Sequence, residues 1–359
     1  MREMKIERIE LANTGDYPIG PAKPVIAGPC SAETEEQVMA TATALQRMGV
    51  AAFRAGIWKP RTRPGCFEGV GAAGLAWMRR VQRELGLPVI IEVGNARHVE
   101  QALAAGVDMV WLGARTTANP FAVQDIADAL KGTDIPVFVK NPINADLELW
   151  IGALERLNLN GINRLAAVLR GFSSYEKTLY RNPPQWQIAI ELRRRVPGLP
   201  LFCDPSHICG RRDLVPSVCH QAMDLAFDGL MIECHNKPED AWSDAAQQVS
   251  PAELEALLST LDVRSNIPAG DLFNRYRSRI DQVDAAIVNL LAERMDISRD
   301  MGQIKREQGV LVLQSDRYNN ILSTLEASGA AKGLSAEFLR KIFETIHAES
   351  IAQQLDRSE

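Results

Sequence analysis

The sequence predicts an α/β protein, a (β/α)8 barrel followed by a small all-α domain. Eight short apolar runs alternate with amphipathic stretches, and the alternation stops near residue 261. Runs bounded by Gly, Pro or charged residues are typical of buried parallel strands, and eight alternations with helices indicate a closed barrel. An open doubly wound sheet is the alternative, but it usually has fewer strands and a Gly-rich fingerprint, which this sequence lacks.

The predicted elements of the barrel follow directly from this pattern. The strands are Val25–Ala27, Ala51–Arg54, Val89–Glu92, Met109–Leu112, Val137–Lys140, Leu165–Leu169, Leu201–Cys203 and Gly229–Glu233. Helices are expected between them, among them Glu33–Met48, Ala96–Ala105, Phe121–Leu130, Trp186–Arg195 and Pro251–Leu261.

The C-terminal part has a different pattern. Residues 262–271 have loop composition, so we predict a barrel domain at 1–262, a linker at 263–270 and a helical domain at 271–359. Apolar residues recur with helical spacing over Leu272–Lys305, without an internal proline. A single helix there would extend about 50 Å, too long for so small a domain unless it pairs with another chain. We therefore expect an intertwined homodimer through the C-terminal helices.

Two shorter helices should complete the C-terminal domain. They are predicted at Ser315–Ala327 and Ala336–Leu355, with breaks at Ser328-Gly329 and Lys332-Gly333.

Composition limits the class of partner. The chain has 359 residues, 46% of them hydrophobic, and a net charge of −5, so it has no general positive field for nucleic acid. The N-terminus lacks the apolar core of a signal peptide, and no apolar run approaches membrane-spanning length. We expect a cytoplasmic protein with small-molecule substrates, no membrane or nucleic-acid partner, and six reduced cysteines.

The predicted strand ends carry many reactive or charged side chains. Barrel enzymes place their chemistry where strands end, and a single Arg or Lys there is usually just solvated, whereas a whole set indicates a site. Four residue types in this set suit a divalent transition metal better than calcium or magnesium alone: a thiolate, an imidazole and two carboxylates. They belong to Cys30, His207, Glu233 and Asp244. A structural zinc site among the other cysteines is disfavoured because they show no CxxC pairing.

Six short motifs follow one another along the predicted barrel: GPCS (28–31), KPRT (59–62), GAR (113–115), DPSH (204–207), GRRD (210–213) and IECH (232–235). Together and in this order they resemble the DAHP synthase family in its short form. The resemblance implies condensation of phosphoenolpyruvate with erythrose 4-phosphate. It also implies a divalent metal, Mn²⁺ first and Fe²⁺, Co²⁺ or Zn²⁺ as alternatives, on the four ligands above.

The same resemblance assigns the cations. Lys59, Arg115, Lys140 and Arg170 match positions that bind phosphoenolpyruvate, and Arg54 lies beside them in the pattern. Arg61 and Thr62 match positions that hold the sugar phosphate. A substrate with both a carboxylate and a phosphate explains why so many cations are needed.

Charged residues of the long C-terminal helix suggest a second site. Arg294 and Lys305 are 11 residues apart and share a helix face, whereas Arg277 is rotated by about 100° and could reach a partner's pocket. A solvated charged face is the alternative. However, Arg277, LLAER (290–294), Lys305, SDR (315–317), Ser350 and Gln354 together resemble the all-helical chorismate mutase family.

That resemblance implies a unimolecular rearrangement that needs no nucleophile or metal. It assigns Arg277 of the partner chain, Arg294 and Arg317 to the carboxylates, and Lys305 and Gln354 to the ether oxygen. Gln314 and Tyr318 depart from the pattern, because acidic residues that contact the substrate's hydroxyl are common there.

Three readings of the whole chain therefore remain to be compared. In the first, the mutase domain also regulates the synthase by binding prephenate or chorismate. In the second, the barrel is a related synthase that uses another sugar phosphate, such as KDO8P synthase. In the third, the helical domain only dimerises and senses a ligand.

Overall fold

The barrel and the helical segment form separate compact units. A computed structural model describes residues 3–11, 23–59, 61, 65–175, 178–261, 271–312 and 315–355. Contacts divide the chain into one unit at 1–265 and a second at 266–359. The predicted linker at 263–270 lies outside the described residues.

Eight parallel strands close into a barrel in sequence order, and the first strand pairs with the eighth. The (β/α)8 prediction is therefore confirmed. The strands are β1 Val25–Gly28, β2 Ala52–Ala55, β3 Val89–Val93, β4 Met109–Leu112, β5 Val137–Lys140, β6 Leu165–Leu169, β7 Leu201–Cys203 and β8 Gly229–Glu233. The last five match the predicted bounds, and the first three differ by one residue at one or both ends.

Helices surround the strands. They are α1 Glu35–Met48, α2 Ala73–Leu85, α3 Ala96–Ala104, α4 Ala114–Thr117, α5 Pro120–Leu130, α6 Leu147–Leu159, α7 Trp186–Arg195, α8 Pro205–Cys209, α9 Val215–Asp224 and α10 Pro251–Thr260. The first begins two residues later than predicted, because the Thr34 side chain caps it by accepting a hydrogen bond from the Gln37 N–H.

The interior of the barrel is filled with apolar side chains. Every strand is buried along its whole length, as expected for parallel strands covered by helices. Within the barrel, the ring of Trp111 packs with Phe138, Phe202 and aliphatic neighbours. Polar chemistry is therefore restricted to the mouth at the carboxyl ends of the strands.

The described residues of the C-terminal unit form three helices: α11 Asp271–Glu307, α12 Ser315–Ala330 and α13 Ala336–Leu355. The predicted break at Ser328-Gly329 is wrong, because α12 continues to Ala330. A Cβ at Gly329 would overlap Leu339, so glycine lets α12 and α13 approach closely. Gly333, with φ of 76°, lies in the turn between these helices.

The helix α11 has 37 residues, which is about 55 Å of helix. Its apolar side chains are exposed in the single chain: Ile280 by 59%, Val283 by 58%, Ile287 by 48% and Leu290 by 64%. Among the described helices, none combines the length and apolar character that crossing a bilayer requires.

Candidate active sites

A strongly cationic cavity lies at the mouth of the barrel. Among the residues described, six cations and two carboxylates line it together with His207. They are Lys59, Arg61, Arg115, Lys140, Arg170 and Arg181, with Glu92 and Asp244. Burial lowers the pKa of Arg170 to about 10, and repulsion from Arg181 and Arg115 adds to this effect. The cavity therefore carries positive charge that its own residues do not balance.

Arg54 lies below this cavity, where it is only 1% exposed. One of its terminal nitrogens donates to Glu233 Oε1 at 3.1 Å. Its Nε and other terminal nitrogen are buried and have no hydrogen-bond partner among the described residues. A buried guanidinium with unused donors is costly, so these donors favour an additional anionic or polar acceptor in the mouth.

Trp111 forms a floor beneath two of these cations. The guanidinium carbon of Arg54 lies 4.9 Å from the centroid of its ring, and Lys140 Nζ lies 5.5 Å from it. Such contacts attract both cations without neutralising them. The indole thus stabilises positive charge while leaving it available to a ligand.

Asp204 organises the side of the mouth that contains His207. Lys140 Nζ donates to Asp204 Oδ2 at 2.6 Å, and His207 Nδ1 lies 2.8 Å from the same oxygen. Burial acts to raise the pKa of Asp204, but the charges of His207 and Lys140 outweigh it and hold the pKa well below its usual value. Asp204 Oδ1 also accepts a hydrogen bond from the His207 backbone N–H at 3.1 Å, whereas Nδ1 of the ring makes no hydrogen bond to the described residues. The ring's Nε2 lies 3.7 Å from Glu233 Oε1.

Cys30 and Asp244 form the opposite side of the mouth. The Cys30 sulfur lies 3.3 Å from Asp244 Oδ2 and 2.9 Å from Lys59 Nζ. Burial, together with the charge of Glu233, raises the pKa of the Cys30 thiol to about 12. The pKa is raised even though the Lys59 ammonium lies beside the sulfur, so a thiolate here requires a stronger positive charge, such as a divalent ion.

The four candidate metal ligands lie in two pairs, Cys30 with Asp244 and His207 with Glu233. Within the described parts of the chain, no three Cys, His, Asp or Glu side chains form a group that could hold a metal. The donor types still fit a borderline-soft divalent ion, and the Lys59 ammonium group lies where such an ion would compensate a thiolate. Metal binding would thus have to draw the two pairs together and move Lys59.

The helical unit has a second cluster, between α11 and α13. Arg294 donates to the hydroxyl of Ser350, while Lys305 Nζ donates to Gln354 Oε1 at 2.9 Å and to the Val312 carbonyl at 2.8 Å. Ser350 and Gln354 are four residues apart and share one face of α13. Within the described part of this unit, both cations thus contact neutral acceptors, which do not cancel their charge.

Two models of known families match the chain. The DAHP synthetase I family matches residues 8–267, and chorismate mutase type II matches residues 276–355. The chain belongs to the DAHP synthetase I family. Its C-terminal helices form a chorismate mutase domain, so the protein is a bifunctional transferase and isomerase. Enzymes of this synthase family are metal-dependent in general.

Relatives and solved structures agree with this family. The phospho-2-dehydro-3-deoxyheptonate aldolase of Thermotoga maritima is 32% identical over 260 residues, which cover 70% of this chain and 75% of that protein. A 2-dehydro-3-deoxyphosphooctonate aldolase of Vesicomyosocius okutanii is 27% identical over 68% of this chain and 92% of its own length. A crystal structure of the Thermotoga maritima DAHP synthase has a TM-score of 0.61 at 30% identity, over 69% of this chain and 71% of that one.

The structure gathers most of the predicted synthase residues at one end of the barrel. Arg61 donates to Asp244 Oδ2 at 3.3 Å, whereas Thr62 lies outside the described residues. In the mutase domain, Arg277 is exposed, and its guanidinium carbon lies 4.3 Å from the centroid of the Phe273 ring. The side chain of Arg317 is not among those that the structure describes. The roles of all these residues in substrate binding remain predictions.

Arg181 is a cavity residue that the motif analysis missed. It donates to Asp244 Oδ1 and to Gln247 Oε1, both at 2.9 Å. Gly210 makes room for it, because a Cβ there would overlap the Arg181 side chain. The GRRD motif contains this glycine, but only the folded chain shows which distant side chain it accommodates.

Proposed function

We propose that the barrel condenses phosphoenolpyruvate with erythrose 4-phosphate to give DAHP and phosphate. Among the described residues, six cations line one cavity together with only two carboxylates, and this is the observation that carries the proposal. A substrate with a carboxylate and a phosphate supplies several negative charges and many acceptor oxygens. Such a ligand satisfies the donors and stabilises the cations at the same time.

The cations of the mouth divide between the two substrates. Lys59, Arg115, Lys140 and Arg170, with Arg54 beside them, bind and orient phosphoenolpyruvate. The sugar phosphate binds at Arg61 and Thr62. Because Arg61 contacts Asp244, a change at that carboxylate also repositions this guanidinium.

Cys30, His207, Glu233 and Asp244 would hold the divalent metal, Mn²⁺ first, with Fe²⁺, Co²⁺ or Zn²⁺ as alternatives. When bound, such an ion supplies a Lewis acid for the aldehyde oxygen of the sugar phosphate. The protein contributes the rest: Asp204 orients His207, and the cations hold phosphoenolpyruvate close to the aldehyde.

A related synthase that acts on a five-carbon sugar phosphate is the competing assignment for the barrel. Relatives named 2-dehydro-3-deoxyphosphooctonate aldolase match at 27–28% identity. The fused chorismate mutase domain favours the four-carbon substrate, because both activities then belong to aromatic biosynthesis. Parallel assays with erythrose 4-phosphate and arabinose 5-phosphate separate the two assignments.

Replacing Cys30 by serine should lower metal-dependent synthase turnover by more than about 100-fold, because the soft ligand of the metal is lost. Turnover and metal content should be measured after chelation and metal add-back. Cys66→Ser is the matched control, since Cys66 is exposed and lies outside the ligand set. Wild-type turnover in Cys30→Ser would show that the ligand assignment is wrong.

For the second domain, we propose rearrangement of chorismate to prephenate. Arg294 and Arg317, with Arg277 from a partner chain, hold the carboxylates, and Ser350 positions Arg294. Lys305 and Gln354 face the ether oxygen as negative charge develops there. The absence of an acidic partner for Arg294 and Lys305 in the described contacts supports this role.

Arg294→Ala should reduce mutase turnover by about 100-fold or more, the usual cost of removing a donor that stabilises developing charge. Synthase turnover, measured in the same preparation, should be retained. Arg299→Ala is the control, because Arg299 is an exposed arginine of the same helix that pairs with Asp296. If Arg294→Ala and the wild type rearrange chorismate equally fast, the reaction occurs elsewhere.

We also propose that α11 pairs with a second copy of the chain. Ile280, Val283, Ile287 and Leu290 lie within about 80° on one helix face, and each is about half exposed or more. A long exposed apolar stripe favours association. Pairing would bury this stripe and bring the Arg277 of one chain towards the pocket of another.

Ile287→Asp should therefore weaken the dimer by about 100-fold or more, since it would bury an unpaired carboxylate in an apolar interface. Sedimentation equilibrium gives the dissociation constant, and mutase turnover should fall with it. Asn289→Asp adds the same charge about 160° away from Ile287 around the helix and should leave both unchanged. A wild-type monomer, or equal dimerisation of Ile287→Asp and Asn289→Asp, would contradict the proposal.

Finally, we propose that prephenate or chorismate, bound by the helical domain, inhibits the synthase. One activity begins the route to chorismate and the other consumes it. Binding of chorismate or prephenate would therefore lower the synthase rate when these products are abundant. Regulation of this kind requires that the ligand bind two states of the protein with different affinity.

Prephenate should lower the synthase rate of the full chain several-fold, and a truncated chain ending near Asp262 should not respond. A coupling of 1–3 kcal/mol corresponds to a change of about 5- to 150-fold in affinity. Initial rates with and without prephenate measure the effect. Equal rates in all four assays would exclude this regulation.

A further inference from the structure

The rings of Tyr318 and His347 stack in the mutase domain. Their centroids are 4.2 Å apart, and the planes are 24° from parallel. Tyr318 belongs to α12 and His347 to α13, so the stack joins two helices. The contact restrains the plane of the imidazole ring.

His347 shares a helix face with the mutase residues of α13. Ser350 follows three residues later and Gln354 seven residues later, which places all three within about 60° around the helix. Those two residues hold Arg294 and Lys305. The imidazole therefore belongs to the same stripe of polar groups.

The imidazole has an unused hydrogen-bonding atom. Its Nε2 is buried and has no hydrogen-bond partner among the described residues. Burial lowers the pKa of His347, and the charges of Arg294 and Lys305 from α11 lower it further. Both effects favour the neutral ring, whose Nε2 can form one hydrogen bond with a ligand without adding charge to the site.

A neutral ring nitrogen can accept a hydrogen bond, which the cations of this site cannot do. Arginine and lysine bind carboxylates and stabilise an oxygen that gains charge, but they offer no acceptor for the O–H of an alcohol. Tyr318 is a neutral polar residue, and His347, which stacks on it, has a ring nitrogen without a partner among the described residues. His347 can therefore supply an acceptor for such a hydroxyl.

We propose that His347 recognises the ring hydroxyl of the mutase substrate through Nε2, with Tyr318 holding the imidazole in place. His347 is then a specificity residue of this site, and the inference rests on the proposed rearrangement of chorismate. An imidazole in place of a carboxylate leaves the positive charge of Arg294 and Lys305 undiminished.

The test compares two variants on two substrates, chorismate and an analogue that lacks the ring hydroxyl. His347→Phe keeps an aromatic ring against Tyr318 but removes both nitrogens. It should lower kcat/KM for chorismate by about 3- to 10-fold, the usual effect of losing one neutral hydrogen bond, and leave the analogue unaffected. His347→Gln, which restores a polar atom, should recover part of the loss.

Equal losses on both substrates would show that His347 only supports the fold, and no loss on either would show that it does not meet the substrate. Both results overturn the inference. Tyr318→Phe tests the phenol: a selective loss for chorismate in that variant, with none in His347→Phe, assigns the hydroxyl to Tyr318 instead.

The same comparison separates this inference from the proposed activity. A wild-type protein that does not convert chorismate refutes the mutase proposal. Calorimetric affinities for chorismate and the analogue then decide the role of His347. Loss of the wild-type preference for chorismate in His347→Phe supports it, and an unchanged preference overturns it.

Discussion

The synthase site depends on charged side chains that the barrel buries away from water. The closed barrel buries Arg54 against Glu233 and Lys140 against Asp204, so each cation has one carboxylate as partner. Buried ion pairs of this kind contribute little net stability, but removing one partner is strongly destabilising. The remaining cations of the mouth have too few carboxylates to balance them. The proposed substrates are multiply charged anions, which would balance these cations and be oriented by them.

The two domains use the same principle for different chemistry. In the barrel, His207 and Cys30 add metal-ligand donors to a cationic mouth, which suits a condensation between two phosphorylated substrates. In the helical domain, the described contacts of Arg294 and Lys305 are to neutral groups, which suits a rearrangement that needs only electrostatic stabilisation. His347 extends this arrangement, because it offers a hydrogen bond without reducing the positive charge.

Much of the fold could be predicted from local patterns. The run Leu165–Leu169 is buried on both faces, so its apolar length defines the strand directly. Glycine usually ends a helix, so the sequence predicts that α12 ends before Gly329, but the helix continues to Ala330. A Cβ at Gly329 would overlap Leu339, so close packing between helices accounts for glycine at this position. Tertiary packing of this kind cannot be read from propensity.

Sequence motifs likewise predicted only part of the candidate site. Motifs located Cys30 and His207, since strand ends converge in a barrel, but they did not reveal Arg181, whose contact with Asp244 spans 63 residues. They also did not reveal Trp111, whose role depends on Arg54 and Lys140 lying over its ring. Contacts between side chains from different strands and loops exist only after folding.

The most direct measurement of the central claim is a calorimetric comparison of phosphoenolpyruvate and pyruvate binding to the full-length protein. Both ligands carry a carboxylate, but only phosphoenolpyruvate can also satisfy the surplus cations with a phosphate. The account predicts that phosphoenolpyruvate binds at least about 100-fold more tightly, as expected for several charge-assisted hydrogen bonds. Equal affinities would contradict it, because the positive charge of the mouth would then have no part in recognising the substrate.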